Sequence, residues 1–452
     1  MRHVRSYATQ TQPSLRALAV LLATVLLWSR PAAAYAVLAH EAIIDATWSH
    51  EIRPLLLARF PQASPEELQK AHAYVYGGAI IQDLGYYPHG SRLFSDLTHY
   101  VRSGYFTLAM LADAQDLNEF AFALGALSHY ASDNDGHRLA TNKAVPVLYP
   151  KLGKKYGDVV TYEQDPLAHL KTEFGFDVLE VGKERYAPDS YRDFIGFEVS
   201  RRLVEQAFCE TYGMELQQVL DNEELAFESY RRSVSSLIPK ATRIAWALKK
   251  DEIQNDVPTM TKRKFLYNLS RASYEKNWGK HYRKPTPGER FLAFLWRLLP
   301  KWGPLKVLTF KTPTPETEHM FEHSFNATLD RYRDLLHLEG RRALKLPNEN
   351  FDTGGLTGPG VYFKNDDAHA KWLEELARKD FAGASREVMD ELLAFYADPD
   401  ANYATRKSKK EWAKLQANLV GLKAVAGPAA VKAADSRVEE GGIKTLLLRV
   451  QF

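Results

Sequence analysis

The stretch FALGALSHYASDNDGH, residues 122–137, constrains this chain more than any other. Its first half is apolar, so the helix it predicts belongs in a core. Yet it also carries His129, Asp133 and His137, four residues apart each time. Positions i, i+4 and i+8 of a helix share one face, although Gly136 is placed to end the helix before His137. Imidazole and carboxylate groups inside a core need partners, and a metal ion supplies them.

A second segment repeats the device. In DPLAHLKTEFGFDVL, Asp165-Pro166 reads as a helix entry, and His169 and Glu173 stand at i and i+4. One such pair alone is an ordinary surface ion pair. Two pairs, one extended by a further histidine, point to a shared centre. Asp83 follows an apolar run in GAIIQDLGYYPHG, and His99 ends FSDLTHY. Taken singly, Asp83 reads equally as a turn residue and His99 as a core histidine bonded to backbone. Nitrogen and oxygen donors together suit a borderline ion such as zinc. His319 and His323 also stand four apart, but with no second ligand-bearing segment near them they read as helix surface.

Helical signals dominate the remainder. SPEELQKAHAYVYGGAI opens with Ser64, Pro65 and Glu67, a capping box with proline at the first helical position. DLNEFAFALGALSHYASD, SYRDFIGFEVSRRLVEQAFCETYG and WLEELARKDFAGASREVMDELLAFYAD show helical spacing. Period-two alternation is confined to GVYFK and the terminal IKTLLLRVQF. The expected fold is all-α: a multi-helix bundle spanning 35–245, with a mostly helical C-terminal region, 246–452, packed on it. KHYRKPTPGER, KTPTPETE and LPNENFDTGGLTGPG read as loops.

Residues 1–34 read as a signal peptide, with a basic start, the apolar core LRALAVLLATVLLW and the small-residue stretch PAAA. That core falls short of the roughly 20 residues a membrane span takes. Cleavage at Ala34/Tyr35 makes the expected location secreted or periplasmic. Removing the segment's four Arg from the chain's 59 Lys and Arg leaves 55, against 56 Asp and Glu. The overall basicity thus belongs to this segment and argues nothing about nucleic acid. A single cysteine, Cys209, excludes an internal disulfide.

These residues resemble the zinc-dependent phospholipase C and single-strand-specific nuclease superfamily. Its elements appear in family order as Tyr35 with His40, Asp83, His99, HYASD (His129, Asp133), His137 and HLKTE (His169, Glu173). The resemblance implies three zinc ions. Asp83, His99 and His129 would hold one; Asp133 would bridge it to a second, held by the amine and carbonyl of Tyr35 and by His40; His137, His169 and Glu173 would hold the third. It also implies a role for Asp83 in orienting or deprotonating the nucleophile. The first residue is Tyr where the family usually has Trp, the Asp133–His137 gap is short, and Gly136 replaces the family's usual Pro. The resemblance covers roughly residues 35–215.

Such a cluster suits phosphoester hydrolysis by metal-activated water. The expected substrate is a phospholipid or another phosphodiester; the alternatives are a nuclease of the same fold, with nucleic acid as partner, and a metal-stabilised binding protein without catalysis. ERFLAFLWRLLPKWGPLKVLTF, with Arg297, Lys301 and Lys306, reads either as a membrane-surface contact or as a core helix. Tyr156 and Tyr162 are the expected stacking residues at the mouth. Tyr130, Asp96 and Asn142 are the expected supports of the ligating imidazoles.

Overall fold

The computed structural model describes residues 36–186, 196–234, 238–273 and 303–427. The expected signal segment at residues 1–34, Tyr35, the apolar stretch 289–302 and the terminal IKTLLLRVQF lie outside the described residues.

Helix α1 (Val37–Thr47) carries His40 and runs through a π turn (Trp48–Ile52) into α2 (Arg53–Arg59). Helix α3 (Pro65–Gly78) begins with the expected capping box. The Ser64 hydroxyl accepts from the Glu67 N–H at 3.2 Å, and the Glu67 carboxylate accepts from the Ser64 N–H at 2.8 Å. A 3₁₀ segment, Ile81–Tyr86, holds Asp83. Then come α4 (Arg92–Tyr100), ending beside His99, and α5 (Ser103–Asp113).

Helix α6 (Leu117–Gly136) is the axis of the molecule. Asp116 caps it by accepting from the Asn118 and Glu119 N–H groups, and every residue from Glu119 to Gly136 is buried. It packs tightly on α3: a Cβ on Gly125 would lie 2.1 Å from the Val75 carbonyl oxygen, so only glycine permits the approach. Gly136 does not end the helix as expected. The chain continues into a π turn at His137–Thr141, a feature frequent at functional sites.

Helices α7 (Asn142–Leu148) and α8 (Pro150–Tyr156) lead to α9 (Pro166–Lys183), whose Asp165 cap accepts from the Ala168 N–H. Helices α10 (Arg201–Tyr212), α11 (Glu223–Arg232), α12 (Ile238–Asp256) and α13 (Lys262–Ser273) follow. The last described part holds α14 (Pro315–Gly340), α15 (Phe363–Ala377), α16 (Arg386–Phe395) and α17 (Lys409–Ala426).

Three local expectations differ from what the chain does. LPNENFDTGGLTGPG is not all loop: β1 (Glu349–Asn350) pairs antiparallel with β2 (Gly355–Leu356), the one sheet among the described residues. GVYFK is not a strand, because α15 begins inside it at Phe363. The segment from Trp372 to Asp398 forms two helices, not one. Asp380 and Phe381 adopt positive φ between them, and the Ser385 side chain caps the second by accepting from the Val388 N–H.

The apolar core is continuous from early to late sequence. Ile43, Phe94, Phe122 and Phe208 share it with Phe321, Tyr332, Trp372 and Leu422. Tyr332 donates to the Leu124 carbonyl at 2.8 Å, and the Trp372 indole donates to the Tyr212 carbonyl at 2.8 Å. A second cluster joins Leu38 and Phe174 to Trp246, Phe265 and Phe310. The C-terminal end of the expected membrane-contact stretch, Leu308–Phe310, therefore packs inward. Among the described residues no helix is long and apolar enough to cross a membrane.

Candidate metal centre

Two groups of buried donors lie against α6. In the first, donor atoms of Asp83, His99, His129 and Asp133 lie within 4.8 Å of one another; the second gathers His137, His169 and Glu173 equally closely. His129 and Asp133, one turn apart on α6, approach at 3.2 Å (Nε2 to Oδ2). His99 Nε2 stands 3.4 Å from the same Asp133 oxygen and 3.3 Å from Asp83 Oδ1. The other Asp133 oxygen, Oδ1, faces His40 Nε2 at 3.5 Å. Asp133 thus turns its two oxygens toward different imidazoles, the disposition a bridging carboxylate requires. In the second group Glu173 Oε1 lies 3.5 Å from His137 Nε2 and 3.8 Å from His169 Nδ1.

Backbone carbonyls fix four of the imidazoles. His129 Nδ1 pairs with the Ala79 carbonyl at 3.0 Å, just past the end of α3, where helix carbonyls lack partners. His99 Nδ1 pairs with Ser95 O at 2.8 Å, His137 Nδ1 with Phe351 O at 3.0 Å, and His169 Nε2 with Val160 O at 2.5 Å. A carbonyl only accepts, so each ring carries a proton on that nitrogen and turns the other nitrogen toward the carboxylates. His40 stacks on His129 with centroids 4.7 Å apart.

The donor set fits divalent cations. Both oxygens of Asp83, Asp133 and Glu173, together with His137 Nε2 and His169 Nδ1, are buried without a hydrogen bond of good geometry. Orphaned polar atoms in such number are costly unless a cation satisfies them. The electrostatics agree. Burial lowers the His99 basicity, but Asp133 and Asp83 outweigh it and lift the imidazole to about 10. His137 is likewise raised despite burial, by Asp352 and Glu173. Burial pushes the Asp83 carboxyl up, against the pull of His99. Asp133 is held well below the usual range: burial opposes this, and the charge and hydrogen bond of His129 dominate. Burial, then His129, lowers His40 to about 3, because Asp133 only partly compensates. A field that draws protons onto imidazoles draws a divalent cation in their place.

Every expected site residue from His40 to Glu173 is brought to this centre, and Tyr35 lies outside the described residues. Tyr162 sits perpendicular to His169 at 6.0 Å and 6.5 Å from Tyr86, which faces His99 at 5.8 Å. Tyr156 packs instead with Val145, Val160 and Ala168. The expected supports point elsewhere. Tyr130 donates to Glu349 at 2.7 Å, Asp96 pairs with Lys364 at 3.4 Å, and Asn142 donates to the Asp352 carbonyl at 2.7 Å. His319 and His323 are exposed on α14, as an ordinary helix surface would have them.

Two residues that sequence reasoning missed hold the centre. Asp177, one turn beyond Glu173 on α9, accepts from the Leu38 N–H at 3.0 Å and from the Ala39 N–H, capping the helix that bears His40. Burial raises its carboxyl to about 7, with Tyr186 and the two N–H groups opposing. Its position four residues after Glu173 was the available signal. The second is Asp352, 3.2 Å from His137 Nδ1. Burial would raise this carboxyl, but His137 and Tyr362 hold it at about 2.

Comparison with curated proteins and with solved structures gave no significant match. Residues 39–222 match the family model described as zinc dependent phospholipase C. That segment contains all of the described donors, and its buried His, Asp and Glu groups fit zinc. Residues 39–222 of the chain are therefore similar to the zinc dependent phospholipase C family.

Proposed function

We propose that this chain is an exported phosphodiester hydrolase acting on phospholipid headgroup esters, with His40, Asp83, His99, His129, Asp133, His137, His169 and Glu173 as zinc ligands. The observation that carries the reading is the convergence of seven buried donors in two groups that lie along one face of α6 and its π turn. The family match over residues 39–222 supports a zinc-dependent hydrolase; the phospholipid substrate, the three ions and the export are this proposal's own steps. Residues 35–245 form the catalytic body, with 246–452 packed against it.

Zinc held by these residues would supply Lewis-acid polarisation of a phosphoryl oxygen and activation of a water at neutral pH. The chain does the rest. Asp83, 3.3 Å from His99 Nε2, takes the proton of the attacking water on a carboxylate oxygen. Asp133, with Oδ1 toward His40 and Oδ2 toward His99 and His129, would help hold the metal through both oxygens. Tyr86 and Tyr162, 7 % and 9 % exposed, wall the His99 and His169 side and exclude bulk water.

Cleavage after Ala34 would free the Tyr35 amine beside His40. A terminal amine ligates zinc, whereas a peptide nitrogen does so poorly, so export would complete the centre. Asp177 supports this reading by fixing the first turn of α1. The test is metal analysis of the protein bearing its processed N-terminus, then turnover of phosphatidylcholine vesicles, single-stranded DNA and bis-p-nitrophenyl phosphate. Zinc with lipid turnover supports the proposal. Zinc with turnover of DNA alone makes the protein a nuclease, and zinc without turnover makes it a metal-stabilised binding protein. A variant keeping one extra residue before Tyr35 is expected to lose one ion and most activity; full zinc content there overturns the role of the amine.

A further inference from the structure

The family-matched segment ends at residue 222, yet the centre receives a side chain from the hairpin at 349–356. Asp352 is 1 % exposed. Its Oδ1 lies 3.2 Å from His137 Nδ1, while Oδ2 accepts from the Tyr100 hydroxyl at 3.0 Å and from the Tyr362 hydroxyl. The Asp352 N–H donates to Asn350 Oδ1 at 2.9 Å, and its carbonyl accepts from Asn142 at 2.7 Å. The preceding residue is held as firmly. The Phe351 N–H donates to the His99 carbonyl at 3.2 Å, and its ring faces those of His99 at 5.2 Å and Tyr130 at 5.5 Å.

His137 opens a π turn directly after Gly136. Of its two nitrogens, Nδ1 meets Phe351 O and Asp352 Oδ1, and Nε2 faces Glu173. A carboxylate on the far side of an imidazole fixes the tautomer and raises the basicity of the nitrogen left for metal.

We propose that Asp352 is a positioning residue of the zinc centre: it holds His137 with the proton on Nδ1 and Nε2 directed at the ion shared with His169 and Glu173. The region beyond the family-matched segment is then part of the metal site and not an appendage to it. This rests on the reading of His137 as a ligand. It accounts for a carboxylate placed 3.2 Å from an imidazole already paired with a carbonyl, and for two tyrosine hydroxyls spent on fixing that carboxylate.

Asp352→Asn keeps the shape and an acceptor for the tyrosines but loses the charge. Zinc release from the full-length protein, followed with a colorimetric chelator, is expected to show one ion released about 10–100-fold more readily than in the wild type. The remaining ions should be held as before. Tyr362→Phe removes a hydroxyl that anchors the hairpin and leaves the carboxylate on His137; it should lower the melting temperature and leave zinc retention nearly intact. A merely structural Asp352 gives the opposite result, with Asp352→Asn and Tyr362→Phe alike in melting temperature and both unchanged in zinc retention. Should Asp352→Asn not fold, Asp352→Glu keeps the charge and shifts it by one methylene; a weakened ion supports the proposal and unaltered retention overturns it. A wild-type protein that binds no zinc overturns both this proposal and the proposed function. Wild-type zinc with equal retention in Asp352→Asn overturns the positioning role alone.

Discussion

The two donor groups sit along one helix but are supported from different distances in sequence. The imidazoles of the Asp83 group take their carbonyls from nearby, with Ser95 O fixing His99 from within α4 and Ala79 O fixing His129 from the end of the adjacent α3, while Phe351 of the hairpin packs on the His99 ring. The His137 group depends in part on remote chain, since Phe351 O and Asp352 reach His137 across more than two hundred residues. The carbonyls that fix the first group come from α3 and α4, which pack on or beside α6, whereas one carbonyl and one carboxylate beside His137 come from the hairpin. The difference predicts unequal robustness, and substitutions can break or sharpen it.

Asp133→Ala should have the largest effect, because its two oxygens face separate imidazoles. More than one zinc per chain should be lost, and activity should fall by more than the roughly 100-fold upper end seen for outer-shell partners. Metal analysis showing loss of a single ion would refute the bridging disposition. Glu173→Gln comes next. It should cost one ion, with a loss of about 10–100-fold in kcat/KM, while the Asp83 group keeps its own; a matching loss from the Asp83 group would abolish the contrast.

Gly354→Ala probes the remote support. This glycine adopts φ +66°, and a Cβ there would lie 2.8 Å from the Asn134 carbonyl oxygen on α6. The hairpin must shift, at about 1–3 kcal/mol by denaturant titration. Zinc weakening confined to one ion would sharpen the comparison. Asp177→Ala leaves the Leu38 N–H without its acceptor and should cost about 1 kcal/mol in thermal unfolding. The smallest effect belongs to His319→Ala on exposed α14, expected within about 0.5 kcal/mol and with zinc content unchanged. A lost ion there would place a further metal site outside the centre.

Legibility in sequence followed the same division. His129 with Asp133, and His169 with Glu173, were readable because a helix brings i and i+4 together whatever surrounds it. The caps at Ser64 and Asp165 were readable for a similar reason, since a capping group reaches only two or three residues ahead. Asp83 and His99 carry no such spacing; the family resemblance, not the local pattern, brought them in. Asp352 sits in NFDTGG, a string that reads as a turn. Asp96 and Tyr130 looked like supports because they neighbour ligands in sequence, yet packing directs them to Lys364 and Glu349.

The sequence by itself determined the helical class, the caps at Ser64 and Asp165 and the donor spacing along α6 and α9, because these depend on interactions within a few residues. Tertiary structure decided which imidazole nitrogen donates to which carbonyl, how Asp133 divides its oxygens, and that a hairpin beyond the family-matched segment reaches His137. Those outcomes depend on contacts between residues tens to hundreds of positions apart. They are fixed only when the buried apolar faces have met, and no local periodicity encodes them.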